Sequence, residues 1–121
     1  MSITALISDL AMQSQLTAAA QRAGVQLTIC ASEDALVESA RRLRPVLVIV
    51  DLSHPGLDAP ELMNRLRPHF APDAQTIAFG PHVHKARLLA ASEAGFRLVI
   101  SRGQFHAEME EILKRGAGDV E

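Results

Sequence analysis

Short runs of apolar residues alternate along the chain with segments in which apolar residues recur every three or four positions. The apolar runs cover residues 3–7, 25–29, 46–50, 75–79 and 97–100, and their composition is typical of β-strands. Each intervening or following segment carries one apolar stripe, as an amphipathic helix does. The stripes consist of Met12, Leu16, Ala19, Ala20 and Ala23; Leu36, Ala40 and Leu43; Leu62, Met63, Leu66 and Phe70; Leu88, Leu89 and Ala94; and Phe105, Met109, Ile112 and Leu113. The pattern predicts five strands and five helices in strict alternation.

Residues typical of helix ends agree with these boundaries. Ser32 is placed to cap a helix, Pro60 suits a first helical turn, and Gly24 and Gly95 lie where helices should end. The run at 46–50 has no polar residue, as expected of a strand buried on both faces. Alternating strands and helices with short connections favour a parallel sheet with right-handed crossovers. We therefore predict an α/β fold with a five-stranded, doubly wound parallel sheet, formed by a single domain at 1–115 and followed by a flexible tail at 116–121.

Composition narrows the range of partners. The 121 residues are 48% hydrophobic and carry a formal charge of −2, with phenylalanine as the only aromatic residue type. With no basic excess and few rings for base stacking, neither nucleic acid nor an anionic membrane is an expected partner. The chain shows no signal peptide and no apolar stretch long enough to span a membrane. Since Cys30 is the only cysteine, no internal disulfide can form, and we expect a cytoplasmic protein with a buried, structural thiol.

Two carboxylates follow strands that we expect to be neighbours. Asp9 comes after the first apolar run and Asp51 directly after the third. In an open parallel sheet, ligands gather beyond the carboxyl ends of the strands, where the strand order reverses. A partly shielded pair of carboxylates repels itself unless a cation lies between them, and magnesium prefers such oxygen ligands. The alternative is that Asp9 only caps the first helix.

Residues 51–62, together with Leu66 and Arg67, resemble the phosphoacceptor loop and third helix of bacterial response-regulator receiver domains. The shared features are Asp51, Pro55 four residues later, the pair Leu57-Asp58 and the pair Glu61-Leu62. The resemblance extends over the whole chain in length and element order and implies a flavodoxin-like, receiver-like fold. It also implies that Asp51 accepts a phosphoryl group and that Asp9, Asp51 and the backbone carbonyl of Ser53 hold magnesium.

Other positions depart from the receiver pattern. Ser8 stands where receivers have the first of two acidic residues, and Gly80 replaces the hydroxyl residue after the fourth strand. Ser101 replaces the lysine after the fifth strand and is followed by Arg102 instead of a proline, while Leu98 takes the place of the switch aromatic. In receiver domains, the lysine and the hydroxyl stabilise the phosphoryl oxygens and report phosphorylation. The resemblance therefore implies that this chain lacks those two groups of the switch. Arg102 brings a charge near the lost lysine, although its planar fork needs a different geometry.

Histidines are concentrated at the same predicted edge. His54, His82, His84 and His106 fall in loops or at helix starts there. With Asp9 and Asp51 they form a candidate site for zinc or another transition metal, or a proton sensor. Gly80, Gly103 and Arg102 also suggest an anion or small-ligand pocket. The alternative is that these are ordinary loop residues.

We therefore expect a stand-alone, atypical receiver-like signalling domain that acts by protein contact and is not an enzyme. Its partner would be a histidine kinase or a downstream effector, and the fourth helix, fifth strand and fifth helix would form the contact surface, including that of a homodimer. Two alternatives remain open at this point. In the first, the domain is a phosphorylation-independent interaction module. In the second, it is a sensor of a metal or a small ligand and uses the histidine-rich edge.

Overall fold

The strands of the predicted pattern form one parallel sheet. The computed structural model describes residues 2–116. The strands are β1 (Ser2–Leu6), β2 (Gln26–Cys30), β3 (Leu47–Asp51), β4 (Gln75–Gly80) and β5 (Leu98–Ser101). The helices are α1 (Leu10–Ala23), α2 (Glu33–Leu43), α3 (Ala59–Leu66), α4 (Lys85–Glu93) and α5 (Arg102–Gly116), with a short 3-10 helix at Arg67–His69. No helix within residues 2–116 is long and apolar enough to cross a membrane.

Strand order places a crevice at one edge of the sheet. The order is β2-β1-β3-β4-β5, and every neighbouring pair is parallel. The chain therefore proceeds from β1 to β2 in one direction and from β3 to β5 in the other. The order reverses between β1 and β3, and in doubly wound sheets ligands bind in a crevice beyond the carboxyl ends of the strands at such a point. The predicted α/β class and doubly wound sheet are confirmed.

Helices cover both faces of the sheet. Along β3, Leu47 and Ile49 belong to the core beneath α1 and α5, whereas Val48 and Val50 belong to the core beneath α2, α3 and α4. This alternation follows from the two-residue repeat of a strand. All of β3 is buried, which explains why its sequence is apolar up to its last residue.

Helix ends use the predicted capping residues. Ser32 Oγ accepts a hydrogen bond from Ala35 N at 3.1 Å. Gly24, which follows α1, has a φ of 71°, a left-handed conformation that favours glycine. Pro60 lies in the first turn of α3, where its missing N–H leaves no helical hydrogen bond unmade.

Several boundaries differ from the prediction. Strands β2 to β5 each end one residue beyond the predicted run, on Cys30, Asp51, Gly80 and Ser101, because backbone pairing does not depend on side-chain polarity. Leu43 and Leu89 are exposed, so they do not belong to buried stripes, and Phe70 lies beyond α3. Gly116 belongs to α5 and not to a tail. It packs so closely on Leu47 that a Cβ atom would overlap that side chain. The rest of the predicted tail, 117–121, lies outside the described residues.

Candidate functional site

Asp51 is the last residue of the central strand β3 and lies at the crevice. It is only 1% exposed, and strand alternation places it on the side of the sheet that α1 and α5 cover. Its Oδ1 accepts a hydrogen bond from the backbone N–H of Ser53 at 2.9 Å. This contact ties the carboxylate to the turn that follows β3, so one oxygen is held and the other, Oδ2, faces the crevice.

Asp9 lies across the same crevice and has two roles. As the N-cap of α1, its Oδ1 accepts hydrogen bonds from Ala11 N at 2.9 Å and from Met12 N at 3.4 Å, which confirms the capping role considered from the sequence. Its Oδ2 pairs with Arg102. The backbone N–H groups of Ala11 and Met12, together with the Arg102 guanidinium, hold the pKa of Asp9 below its ordinary value.

Arg102 joins the two carboxylates. It is the first residue of α5 and directly follows β5, so its side chain starts at the edge where Asp9 and Asp51 lie. One terminal nitrogen, Nη2, contacts Asp9 Oδ2, and Nη1 is 3.9 Å from Asp51 Oδ2. A guanidinium presents several N–H donors in a planar fork and can face two carboxylates at once. Arg102 thus supplies a cation at this edge despite the absence of the lysine.

The charge of Asp9 should make stability depend on pH. Because its folded-state pKa lies below the unfolded value, ionised Asp9 stabilises the fold above about pH 4. This contribution is lost as the pH falls through the lowered pKa of the folded state. We expect Asp9→Asn, which keeps a capping oxygen but no charge, to lose less stability than the wild type between pH 5 and pH 2. Urea unfolding in metal-free buffer, followed by circular dichroism, measures this difference; equal slopes for the two proteins would contradict it.

The oxygens at the crevice suit magnesium in their chemistry. Two carboxylates, Asp9 and Asp51, lie on adjoining strand ends, and the carbonyl of Ser53 follows directly in the chain. Magnesium takes oxygen ligands and keeps several waters, so these three groups would be enough to hold it. However, the guanidinium of Arg102 already faces the Oδ2 atoms of both carboxylates, and an arginine and a metal ion would compete for them.

The residues at the positions that depart from the receiver pattern make specific local contacts. Ser8 Oγ is hydrogen-bonded to Nδ1 of His54 at 2.8 Å, which joins the loops after β1 and β3. Ser101 Oγ accepts from the backbone N–H of Gln104 at 3.1 Å and so supports the start of α5. At Gly80, a Cβ atom would come within 3.3 Å of the Leu52 Cβ. Leu52 therefore fills part of the space that a larger residue at position 80 would need.

Arg87 is a further residue near the site that the sequence pattern did not reveal. This α4 residue donates a hydrogen bond from Nη1 to the backbone carbonyl of Leu52 at 3.0 Å and so ties α4 to the loop that follows Asp51. An exposed arginine in a helical segment gives no sign of its partner, since the acceptor is a backbone carbonyl 35 residues earlier. Nothing in the local pattern could have revealed this contact.

The histidines do not form the cluster considered from the sequence. His54 is engaged with Ser8, whereas His82 and His84 are exposed in the loop before α4. His106 lies on α5, beside an open groove that is lined by Asp9, Ala11, Met12, Gln15, Arg102, Gly103 and His106. Among residues 2–116, no three His, Cys, Asp or Glu side chains come together as a metal-binding group. The candidate transition-metal cluster is thus not seen in this part of the chain, where His54 follows β3, His82 and His84 follow β4, and His106 lies on α5 after β5. Cys30 is buried, as predicted.

Solved structures share this architecture over nearly the whole chain, whereas no protein-family model and no curated protein matches the sequence. The receiver domain of a sensor histidine kinase from Pseudomonas aeruginosa PAO1, with magnesium coordinated in its active-site cleft, has a TM-score of 0.79 and 22% identity, covering 97% of each chain. A response-regulator receiver domain from Bermanella marisrubri has a TM-score of 0.79 and 18% identity, covering 96% of this chain and 97% of its own. The beryllofluoride-activated NtrC4 receiver domain dimer has a TM-score of 0.74 and 13% identity, covering 95% and 98%. The chain thus has the fold of response-regulator receiver domains.

Proposed function

We propose that this domain is a signalling module in which Asp51 accepts a phosphoryl group and which acts on other proteins by contact, not as an enzyme. The observation that carries the proposal is the position of Asp51. It is a buried carboxylate at the end of the central strand, with a second carboxylate and a guanidinium at the same crevice. This is the place in a doubly wound sheet where ligands bind.

The arrangement suits phosphoryl transfer from a small donor or from a kinase. One oxygen of Asp51 would form the bond to phosphorus as the bond between phosphorus and the leaving group breaks. Ser53 N–H holds Oδ1, which leaves Oδ2 directed at the crevice. Arg102 is within reach of the negative charge that the phosphoryl oxygens carry in transfer. Magnesium, held by Asp9, Asp51 and the Ser53 carbonyl, would neutralise this charge when it is bound.

Incubation with acetyl phosphate and magnesium tests this proposal. We expect the wild-type protein to gain the mass of one phosphoryl group, because the reactive carboxylate is a single side chain. Intact-mass spectrometry is the appropriate measurement, since the chain has no tryptophan or tyrosine to report the reaction by fluorescence.

Two variants control this experiment. Asp51→Asn should show no gain in mass, because the amide is not a nucleophile. Asp58→Asn is the matched control and should react like the wild type. Asp58 is an exposed aspartate that caps α3 through a hydrogen bond from Glu61 N, and asparagine preserves that cap. A folded wild-type protein that gains no mass, or a gain that persists in Asp51→Asn, would refute the assignment.

The contact surface in this proposal consists of α4, β5 and α5. Leu89 on α4 is 59% exposed and Leu98 on β5 is 42% exposed. Exposed aliphatic side chains on adjoining elements favour contact with another protein. The partner would be a histidine kinase, a downstream effector or a second copy of this chain. Analytical ultracentrifugation of the wild type and of Leu98→Asp, with and without acetyl phosphate, tests the homodimer.

A phosphorylation-independent interaction module is the second candidate. Gly80 favours it, because this position lacks a hydroxyl group to pull on a phosphoryl oxygen and Leu52 occupies the adjacent space. The position of the switch aromatic holds Leu98, which is partly exposed. Under this hypothesis, self-association or partner binding would be the same in Asp51→Asn as in the wild type.

A further inference from the structure

The two oxygens of each carboxylate at the crevice have the same two kinds of partner. In Asp9 and in Asp51, Oδ1 accepts backbone N–H groups of the turn or helix that follows. In both residues, Oδ2 faces the guanidinium of Arg102. The oxygens that remain for a divalent cation between the two strands are therefore those that the arginine already faces.

The charges at the crevice also differ from those of a strong metal site. Asp9 and Asp51 contribute two negative charges and Arg102 one positive charge, whereas Ser8 contributes a neutral hydroxyl. A guanidinium and a divalent cation on the same oxygens would repel each other strongly at a distance of a few ångströms. The two cations would therefore compete for these oxygens.

We propose that Arg102 is a tethered cation that competes with magnesium for Asp9 and Asp51, so that the metal binds only when the arginine side chain moves away. The inference deepens the function proposed above, on which its regulatory meaning rests. It assigns Arg102 the role of a positioning residue that controls access of the metal to the phosphoacceptor.

The local structure allows this exchange. The backbone at Arg102 is held in place, because Ser101 caps the first turn of α5 and the Phe105 ring is fully buried three residues later. The arginine side chain itself is 35% exposed and borders the open groove between α1 and α5. It can therefore rotate from the carboxylates into solvent without moving the helix.

Magnesium titration of ¹⁵N-labelled protein tests the inference without any phosphoryl transfer. The backbone amide signals of Asp9, Asp51 and Ser53 report binding at the crevice. We expect Arg102→Gln, which removes the charge and keeps much of the stem, to bind magnesium about tenfold or more tightly than the wild type, because one competing cation has been removed. Arg102→Lys places a compact cation on a shorter side chain, and its affinity for magnesium should lie between those of the wild type and Arg102→Gln.

Arg42→Gln is the matched control. It makes the same change of charge at an exposed arginine of α2, and its affinity for magnesium should equal that of the wild type. An equal gain in Arg42→Gln would mean that net charge alone is responsible and would overturn the inference. Unchanged or weaker binding in Arg102→Gln would overturn it as well, and so would an absence of binding in folded wild type and folded Arg102→Gln.

The two proposals fail in distinguishable ways. If Arg102→Gln binds magnesium more tightly but neither protein gains a phosphoryl group, then Arg102 competes with the metal and the phosphoacceptor assignment is wrong. If the wild type is phosphorylated on Asp51 while Arg102→Gln leaves the magnesium affinity unchanged, then the function stands and the competition does not.

Discussion

Replacing Phe105 with alanine is expected to lower the free energy of unfolding by about 3–5 kcal/mol. The ring of Phe105 is fully buried. It stacks on Phe79 with a centroid distance of 4.2 Å and an interplanar angle of 5°. Alanine would remove this stack and leave a cavity between α5 and β4 in a core that is otherwise aliphatic. Urea unfolding followed by far-ultraviolet circular dichroism measures the loss.

The Phe79–Phe105 stack also supports the candidate site. Phe79 is the register partner of Asp51 across β3 and β4, and Phe105 lies one helical turn after Arg102. The stack thus fixes the start of α5 against the strand pair that carries Asp51. We expect Phe105→Ala to weaken the contact between Arg102 and Asp9 as well as the fold.

Phe70→Ala provides the matched comparison for this prediction. It deletes the same side chain at a half-buried position after the 3-10 helix, where Phe70 packs at the margin of the other core. Its cost should be clearly smaller, because less apolar area leaves the interior. A loss below about 1.5 kcal/mol for Phe105→Ala, or an equal loss for the two variants, would contradict the importance of the stack.

Gly80→Thr is expected to destabilise the fold by about 1–3 kcal/mol, even though it adds the hydroxyl group that the receiver pattern has at this position. Gly80 is buried, and a Cβ atom there would come within 3.3 Å of Leu52 Cβ and within 3.8 Å of Leu88 Cδ2. Threonine adds two further heavy atoms to that Cβ. Leu52 would therefore have to move, and its backbone carbonyl is also the acceptor for Arg87.

Two comparisons isolate the steric cause. Gly103→Thr makes the same substitution where nothing lies within 4 Å of the added Cβ, so its effect should stay within about 0.5 kcal/mol. In a Leu52→Ala background, Gly80→Thr should cost about 1 kcal/mol less than in the wild type, which a double-mutant cycle measures. Gly80→Thr with wild-type stability would show that crowding by Leu52 is not the reason for glycine here.

Local patterns in the sequence were sufficient for the fold and for part of the candidate site. The two-residue repeat of the apolar runs and the three-to-four-residue repeat of the stripes predicted every strand and α-helix, and every strand end lies within one residue of its prediction. The prediction that Asp9 and Asp51 adjoin followed from the rule that parallel strands end at the same edge. Confirmation came from the β2-β1-β3-β4-β5 order.

Contacts between residues far apart in the sequence could not be predicted from such patterns. Ser8 and His54 are 46 residues apart in the sequence, and Arg87 is 35 residues from Leu52, whose carbonyl it contacts. Neither contact leaves a periodic pattern in the sequence. The histidines were grouped because they share an edge of the sheet. However, a shared edge does not fix the direction of side chains that arise from different loops, and no metal-binding group forms among the described residues.

The sequence by itself determined the elements, their order, the parallel sheet and the edge at which the candidate site lies. These depend on the burial of apolar side chains, and burial leaves a periodic trace in the sequence. Only the tertiary structure decided how the groups at that edge pair. Arg102 was recognisable from the sequence as a nearby charge, but its approach to both Asp9 and Asp51 depends on the path of the chain from β5 into α5 and on side-chain torsions. Hydrogen bonds and ion pairs are directional and short-ranged, so they are set by three-dimensional positions that a linear pattern does not encode.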